Sequence, residues 1–180
     1  MSGRFIAVVG PSGVGKDSVM RAIAAKEPRM VLARRMITRA ADAGGEDFDA
    51  VTQAAYDAAL AADGLALHWS AHGLSYAIAC KAEADLLMGK DVLANLSRTV
   101  LPQAHARFAH LEVVQLTATR HILAKRLRAR GRETAAQIAE RLDRVGTPLP
   151  TGLRVHTVDN SGALSDTVQR VCDLLYPVSA

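Results

Sequence analysis

The sequence has few aromatic residues, only two cysteines and no long apolar run, and each shortage excludes a class of protein. Aromatic residues make up 4% of the chain, so a core has to be built from alanine, leucine, valine and isoleucine. Cys80 and Cys172 lie far apart without metal-ligand spacing, which predicts reduced thiols in a cytoplasmic protein. No apolar run is long enough to cross a bilayer. The first strand-like run begins at Arg4, so we expect neither a signal peptide nor a membrane partner.

The charge of the chain is positive and unevenly distributed. The formal net charge at pH 7 is +4, and basic side chains cluster between Arg120 and Arg144. Such a cluster is typical of nucleic-acid binding or of a site for multiply anionic small molecules. No aromatic side chain lies among these residues to stack on bases, so small-molecule substrates are favoured and no nucleic-acid partner is expected. A hydrophobic content of 49% over 180 residues predicts one globular domain, 1–180.

A glycine-rich stretch near the amino terminus has the context of a phosphate-binding loop (P-loop). It follows an apolar run at 4–9, which predicts a buried strand, and precedes a helical stretch at 19–25. Gly13 and Gly15 allow the backbone N–H groups to curl round a phosphate at the positive end of the helix, and Lys16 would reach the terminal phosphates. A turn that only joined a strand to a helix would need neither the lysine nor both glycines. The predicted nucleotide-binding loop comprises Gly10, Pro11, Ser12, Gly13, Val14, Gly15, Lys16, Asp17 and Ser18.

Strand-like and helix-like segments alternate along the rest of the chain, which predicts a parallel α/β sheet flanked by helices. The run at 30–37 is predicted to be one strand, and 43–48 is predicted to be a loop. The runs at 65–69 and 74–78 predict a hairpin that turns at His72-Gly73. The expected parts are a core of 1–34 and 80–180 and an insertion beside the sheet at about 35–79.

Two positions where P-loop proteins usually hold a magnesium ion carry unexpected residues. The pattern requires Ser or Thr after the lysine, and this chain has Asp17. A neighbouring strand usually ends in a carboxylate, but here the strand at 91–96 offers Asn95. We hypothesise that Asp17 supplies the missing negative charge, with Ser18 as the other candidate ligand. In the alternative, Asp17 is an acidic residue that only favours the helix dipole.

Arginines surround Gly131 between two predicted helices, a pattern typical of a mobile flap over bound phosphates. Arg126, Arg130 and Arg132 are predicted to neutralise the charge of a transferring phosphoryl group, because the guanidinium fork suits bidentate contact. Lys125 and Arg128 of this run are interpreted as part of a solvated helix face. The flap, here called the lid, is predicted to span about 126–136.

A second pair of arginines, Arg35 and Arg39, lies at the exit of a predicted strand. Buried guanidinium groups are costly unless they meet water or anions, so these two are candidates for binding the phosphate of an acceptor. Tyr76 and His72 on the predicted hairpin could hydrogen-bond the same anion. In the alternative, the two arginines form ordinary salt bridges with acidic residues such as Glu46.

These motifs resemble the guanylate-kinase-like branch of the nucleoside monophosphate kinases and, within it, the ribose 1,5-bisphosphate phosphokinase family. The resemblance covers nearly the whole chain, and its more diagnostic parts are the Lys-Asp pair of the loop and the segment 69–76. The other segments that carry it are Thr38-Arg39, 45–48, 95–98 and 126–132. The resemblance implies a P-loop NTPase fold with a small acceptor-binding insertion and an arginine-rich lid.

The departures from guanylate kinase concern the choice of acceptor. That family has a Glu just before the aromatic residue of the hairpin to recognise guanine, and this chain has His68 there. It also has a second arginine shortly after Thr-Arg and an acidic strand end, where this chain has 40–42 and Asn95. A sugar bisphosphate needs no base pocket, so the loss of the carboxylate disfavours guanine and fits a sugar acceptor.

The resemblance implies that ATP, with Mg²⁺, phosphorylates ribose 1,5-bisphosphate in phosphonate catabolism, giving 5-phospho-α-D-ribose 1-diphosphate and ADP. Two alternatives stay open, a guanylate-kinase-like nucleoside monophosphate kinase and a non-catalytic protein-interaction module, and a homodimer also stays open. The expected acceptor-binding residues are Arg35, Thr38, Arg39, Glu46, Trp69, His72, Tyr76, Ser97, Arg98 and Arg141. The expected catalytic residues are Lys16, Asp17, Arg126, Arg130 and Arg132, and the expected metal ligands are Asp17 and Ser18.

Overall fold

The computed structural model describes residues 3–40, 47–131, 134–143 and 148–177. No helix within these ranges is both long and apolar enough to cross a membrane. In chain order the elements are β1 (Phe5–Val9), α1 (Lys16–Lys26), β2 (Met30–Ala33), β3 (Arg35–Ile37), β4 (Phe48–Ala50), α2 (Gln53–Ala61), β5 (Leu65–Ala71), β6 (Leu74–Ala79), α3 (Lys81–Leu87), β7 (Asp91–Asn95), a 3₁₀ turn (Arg98–Val100), α4 (Leu101–Arg107), β8 (Leu111–Thr117), α5 (Arg120–Arg130), α6 (Ala135–Asp143), β9 (Arg154–Asp159) and α7 (Leu164–Leu175).

Five strands form a sheet in the order β2-β7-β1-β8-β9, and every neighbouring pair is parallel. The central strand β1 is fully buried because both faces of the sheet are covered. Phe5, Ala7 and Val9 belong to one apolar core, and Ile6 and Val8 belong to the other. The predicted α/β fold, a parallel sheet flanked by helices, is confirmed.

The remaining strands form a second sheet in the order β4-β3-β6-β5. The prediction of one strand over 30–37 is wrong, because the chain leaves the first sheet after Ala33 and enters the second at Arg35. Between them, Arg34 forms an ion pair with Asp49 of β4 at 2.8 Å. The apolar pattern cannot show this break, because both halves are strands and only their neighbours differ.

The prediction of a loop at 43–48 is wrong at its last residue, because Phe48 begins β4. Positions 43–46 lie outside the described residues, so the loop stays a prediction there. Strand β4 has three residues and pairs in parallel with β3, with Phe48 beside Arg35. A strand this short has no alternation for sequence analysis to detect.

Neighbouring residues set the turn of the hairpin and the starts of two helices. The predicted hairpin is confirmed, since β5 and β6 pair in antiparallel fashion across a turn at His72 and Gly73. Thr52 accepts a backbone hydrogen bond at the start of α2. Thr134 and Gln137 exchange the two hydrogen bonds of a capping box before α6.

Contacts join the beginning of helix α5 to the end of helix α6. Arg120, at the start of α5, donates to the carbonyl oxygen of Leu142 at 3.1 Å and pairs with Asp143 at 2.7 Å. Helix α5 ends at Arg130, and Gly131 follows with a φ of 63°. The end of α6 therefore lies against the start of α5.

The predicted boundaries of the core, the insertion and the lid are not tested by these contacts and stay predictions.

Candidate active site

The carboxyl ends of the central strands meet at one edge of the first sheet, where parallel α/β folds bind their ligands. The P-loop leaves β1 at this edge, and Asn95 ends β7 there. The P-loop, the second sheet, the carboxyl end of β7 and helices α5 and α6 together line a cavity of about 480 Å³. Its lining comprises Gly10, Ser12, Gly13, Gly15, Lys16, Asp17, Arg35, Arg39, Trp69, Ala71, His72, Tyr76, Asn95, Leu96, Ser97, Arg130 and Arg141.

The P-loop connects β1 to the amino terminus of α1. A Cβ on Gly10 would lie 2.5 Å from the carbonyl oxygen of Leu116, so only glycine fits where the loop leaves the strand. Gly15 is the N-cap of α1, and Lys16 is its first residue. The positive end of the helix dipole therefore lies at the cavity, which favours an anionic ligand.

Lys16 lies in the cavity, and its ammonium group donates hydrogen bonds to the loop. The distances from Nζ are 2.9 Å to the carbonyl oxygen of Gly10 and 3.3 Å to that of Pro11. Phosphate oxygens are stronger acceptors for an ammonium than neutral carbonyls. The contacts therefore hold the positive charge beside the place where a phosphate would bind.

Asp17 and Asn95 are in direct contact, although they lie on different elements. The Nδ2 atom of Asn95 donates to Oδ1 of Asp17 at 3.0 Å. The pair brings carboxylate and amide oxygens together, and hard oxygen donors are the ligands that Mg²⁺ prefers. No three His, Cys, Asp or Glu side chains converge within the described ranges, so an ion here would take its other ligands from water and nucleotide phosphates. Ser18 is exposed and does not line the cavity.

The second sheet forms a wall that carries both cations and aromatic rings. Trp69 and Tyr76 stack with their ring centroids 5.4 Å apart. The guanidinium carbon of Arg35 lies 5.4 Å from the Tyr76 ring centroid, and that of Arg39 lies 4.3 Å from the Phe48 ring centroid. Because these two rings belong to strands on opposite sides of β3, the guanidinium groups are held apart. This arrangement suits a ligand with more than one anionic group.

Three further acceptor candidates have different positions. The hydroxyl of Thr38 accepts the N–H of Ser75 at 2.9 Å, so it connects β3 to β6 and does not line the cavity. Arg98 lines an adjoining cavity of about 480 Å³, to which His72 also contributes. Glu46 lies outside the described residues.

Helices α5 and α6 also contribute cations to the cavity. Arg130 and Arg141 both line it. Arg126 does not, and its Nη1 atom donates to the carbonyl oxygen of Val14 in the P-loop at 3.1 Å. Arg132 lies outside the described residues. The catalytic roles of Arg126 and Arg132 therefore stay predictions.

Sequence reasoning missed Asn160, which directly follows β9 and is 3% exposed. Its Nδ2 atom donates to the carbonyl oxygen of Val14 at 2.7 Å. Its Oδ1 atom accepts the hydroxyl of Thr167, on α7, also at 2.7 Å. A polar residue at the carboxyl end of a predicted strand is the signal that could have indicated it.

Solved kinases share this fold. A guanylate kinase from Anaplasma phagocytophilum matches with a TM-score of 0.67 at 16% identity, over 97% of this chain and 85% of that chain. A gluconokinase from Sinorhizobium meliloti 1021 matches with a TM-score of 0.51 at 21% identity, over 97% and 96% of the two chains. Sequence identities this low establish a shared fold and do not establish a shared function. The fold and the loop together define the class, a P-loop protein with a guanylate-kinase-like architecture.

No protein-family model matches the chain, but curated relatives do. Ribose 1,5-bisphosphate phosphokinase PhnN from Ruegeria sp. (strain TM1040) is 52% identical over 167 residues, which cover 92% of this chain and 88% of the relative. The PhnN of Pantoea vagans (strain C9-1) is 47% identical over 174 residues, covering 96% and 97%. That of Agrobacterium fabrum (strain C58) is 41% identical over 174 residues, covering 95% of both. The chain belongs to the ribose 1,5-bisphosphate phosphokinase family, which confirms the resemblance found in its sequence.

Proposed function

We propose that the chain transfers the γ-phosphoryl group of ATP to the 1-phosphate of ribose 1,5-bisphosphate, as a step of phosphonate degradation. The products are 5-phospho-α-D-ribose 1-diphosphate and ADP. Family membership supports this reaction. The observation that carries it is that the P-loop, Arg35 and Arg39 line one cavity, because donor and acceptor phosphates have to meet in one place.

The bond changes require little of the protein beyond positioning and charge. An oxygen of the acceptor 1-phosphate attacks the γ-phosphorus, and the bond from that phosphorus to the β–γ bridging oxygen breaks. The attacking oxygen is already anionic, so no general base is needed and no proton has to move. Lys16, Arg130 and Arg141 line the cavity and would neutralise the oxygens of the transferring group. The proposal gives Arg126 and Arg132 the same role.

The acceptor would bind against the wall formed by the second sheet. Arg35, Arg39 and Tyr76 would hold its phosphates, and the separation of the two guanidinium groups supports a bisphosphate. Recognition of a guanine base would need a carboxylate at the hairpin, but the residue at that position is His68, which is exposed. A sugar acceptor has no base to recognise and needs no such carboxylate.

Asp17 and Asn95 are the residues proposed to hold Mg²⁺, directly or through water. When bound with ATP, the ion neutralises charge on the phosphate oxygens. The chain itself orients the Asp17 carboxylate through the amide of Asn95 and through the first turn of α1.

The reaction is tested by measuring ADP release from the purified protein with ATP and Mg²⁺. Ribose 1,5-bisphosphate, GMP and AMP are compared as acceptors, and the diphosphate product is identified by ³¹P NMR. We expect kcat/KM for ribose 1,5-bisphosphate to exceed that for GMP by at least about 100-fold, because the hairpin lacks a group that recognises a base.

Each alternative predicts a different result in the same measurements. Turnover of GMP without turnover of the sugar bisphosphate would assign the chain to the nucleoside monophosphate kinases. No affinity for ATP and no turnover of any acceptor would instead favour an interaction module.

Replacing Asp17 by serine is expected to leave ATP binding nearly intact while raising the Mg²⁺ concentration needed for half-maximal turnover. The expected rise is about 10- to 100-fold, the usual cost of removing a residue that supports a bound metal. The measurement is a magnesium titration of the initial rate at saturating ATP.

Asp166→Ser is the matched control, because Asp166 is also an acidic residue in the first turn of a helix, α7. If Asp17 only favours a helix dipole, both variants lose similar stability and neither shifts the magnesium titration. An unshifted titration for Asp17→Ser would remove Asp17 from the proposed metal site.

A further inference from the structure

The carbonyl oxygen of Val14 is fixed from two directions in the middle of the P-loop. Asn160 donates to it from the end of β9 at 2.7 Å, and Arg126 donates to it from α5 at 3.1 Å. Asn160 is itself held at both ends, because its N–H donates to the carbonyl oxygen of Thr117 and its side-chain oxygen accepts the hydroxyl of Thr167. The donor to Val14 is therefore a buried amide with little freedom to turn.

Fixing this carbonyl also orients the next N–H group. In a trans peptide the C=O of one residue and the N–H of the next point to opposite sides of the same plane. Asn160 and Arg126 do not line the phosphate cavity, whereas Gly13, Gly15 and Lys16 do. With the Val14 carbonyl turned away towards Asn160, the N–H of Gly15 points to the side where the cavity lies.

The identity of Gly15 depends on the same contact. A Cβ at this position would lie 2.8 Å from Nδ2 of Asn160, and the φ of Gly15 is 95°, which other residues rarely adopt. The amide and the glycine therefore form one unit, in which the missing side chain of Gly15 lets Asn160 approach the loop.

We propose that Asn160 is a positioning residue that sets the orientation of the Val14–Gly15 peptide, so that the N–H of Gly15 is presented to a nucleotide phosphate. Asparagine suits this position because it donates to Val14 through one atom and accepts from Thr167 through the other. The inference rests on the proposed binding of ATP at the P-loop. It adds a residue about 145 positions further along the chain to the machinery of that loop.

The test is equilibrium binding of ATP, with and without Mg²⁺, to Asn160→Ala and to the unmodified protein. The expected rise in the dissociation constant is about 10- to 100-fold, the cost of losing the hydrogen bond from the N–H of Gly15 to a charged phosphate. The KM for the acceptor at saturating ATP is expected to stay within about twofold, because Asn160 does not line the acceptor side of the cavity.

Val171→Ala is the matched control for lost stability, because Val171 is a 1% exposed core residue on the same helix as Thr167. It should lower the melting temperature and leave the ATP dissociation constant unchanged. If Asn160→Ala binds ATP as the unmodified protein does, or if Val171→Ala weakens binding equally, the positioning role is wrong. Absence of ATP binding by the unmodified protein would contradict the proposed function first.

Asn160→Asp keeps the shape of the side chain and gives a second readout. Near pH 8 its carboxylate would place an acceptor against the Val14 carbonyl, and ATP affinity relative to the unmodified protein should fall. Burial raises the pKa of such a carboxyl group, whereas the guanidinium group of Arg126 at the same carbonyl oxygen lowers it, so the pH is lowered to about 5 to protonate the group and restore a donor. A merely structural role predicts no recovery of relative ATP affinity at the lower pH.

Discussion

Replacing Lys16 by methionine is expected to lower kcat by about 100- to 1,000-fold, the usual cost of removing one charge-stabilising group from a phosphoryl or acyl transfer site. Methionine keeps an unbranched side chain of similar length and removes only the charge and the donors. The ammonium lies 2.9 Å from the Gly10 carbonyl oxygen, at the start of the P-loop, so it is already placed beside the proposed phosphate site. Steady-state ADP release with saturating ATP and ribose 1,5-bisphosphate measures the effect.

Lys125→Met is the control for Lys16→Met, because Lys125 is an exposed lysine of α5 outside the cavity lining. The same change of charge there should leave kcat within about twofold. Equal activity of Lys16→Met and the unmodified protein would mean that the P-loop does not carry the reaction. The variant also serves the acceptor comparison, since ADP release above its expected residual activity would come from a contaminating kinase.

Replacing Arg4 by methionine is expected to lower the free energy of unfolding by about 3–5 kcal/mol, because it removes the shared cation of a buried charge network. Arg4 pairs with Asp91 at 2.6 Å and with Glu112 at 3.1 Å. It also donates to the carbonyl oxygen of Leu175 at 2.7 Å, and Tyr176 donates to Asp91 at 2.6 Å. Without the guanidinium group, the buried carboxylate of Asp91 loses its main partner, and that of Glu112 keeps His156 but loses Arg4.

The network lies at the amino ends of β7, β1 and β8, at the edge of the sheet opposite the active site. We therefore expect Arg4→Met to lower the melting temperature by roughly 6–20 °C. The activity of the folded enzyme at a lower temperature should be retained. Arg21→Met removes an exposed arginine from α1 and should change the free energy of unfolding by no more than about 0.5 kcal/mol. Equal thermal stability of the two variants would show that the network contributes little.

The same network predicts how stability depends on pH. Burial alone would raise the pKa of Asp91, but hydrogen bonds from Arg4 and Tyr176 outweigh it and hold that pKa below its usual value of 3.8. For Glu112, hydrogen bonds from His156 and Arg4 likewise outweigh burial and hold the pKa below 4.5. Depressed carboxyl pKa values stabilise the fold above the unfolded values, and this contribution is lost as the pH falls through the folded ones.

Chemical denaturation between pH 7 and pH 3 measures this contribution. The unmodified protein should lose stability as the pH falls below about 4.5, when its unfolded carboxyl groups begin to take up protons. Arg4→Met should show a shallower acid loss, because its carboxyl pKa values are no longer held down by the guanidinium group. A steeper acid loss in the variant would contradict this account of Asp91 and Glu112.

Much of the fold was predictable because its signals are local. The strand, the loop and the lysine at 4–16 are contiguous, so the P-loop and the start of α1 follow from spacing alone. The hairpin turn at His72-Gly73 is also set by neighbouring residues. The break at Arg34 was missed, because pairing with β7 or with β6 leaves no difference in the apolar pattern.

The candidate site was predictable in its residue types and less so in its geometry. Lys16, Arg35, Arg39, Arg130 and Arg141 were chosen as charged groups in a phosphate-binding context, and the structure brings them to one cavity. Their catalytic and binding roles are still predictions. Thr38 was chosen with them, but it connects two strands instead.

The sequence by itself determined that this protein has a P-loop at the start of an α/β sheet, because glycine spacing, lysine and flanking elements act within one short stretch. Only the tertiary structure decided which distant residues support that loop. Asn95 reaches Asp17, and Asn160 reaches Val14, across 78 and 146 positions of chain. The physical reason is the strand order, since β7 and β8 flank β1 and β9 follows β8, which brings these strand ends to the loop.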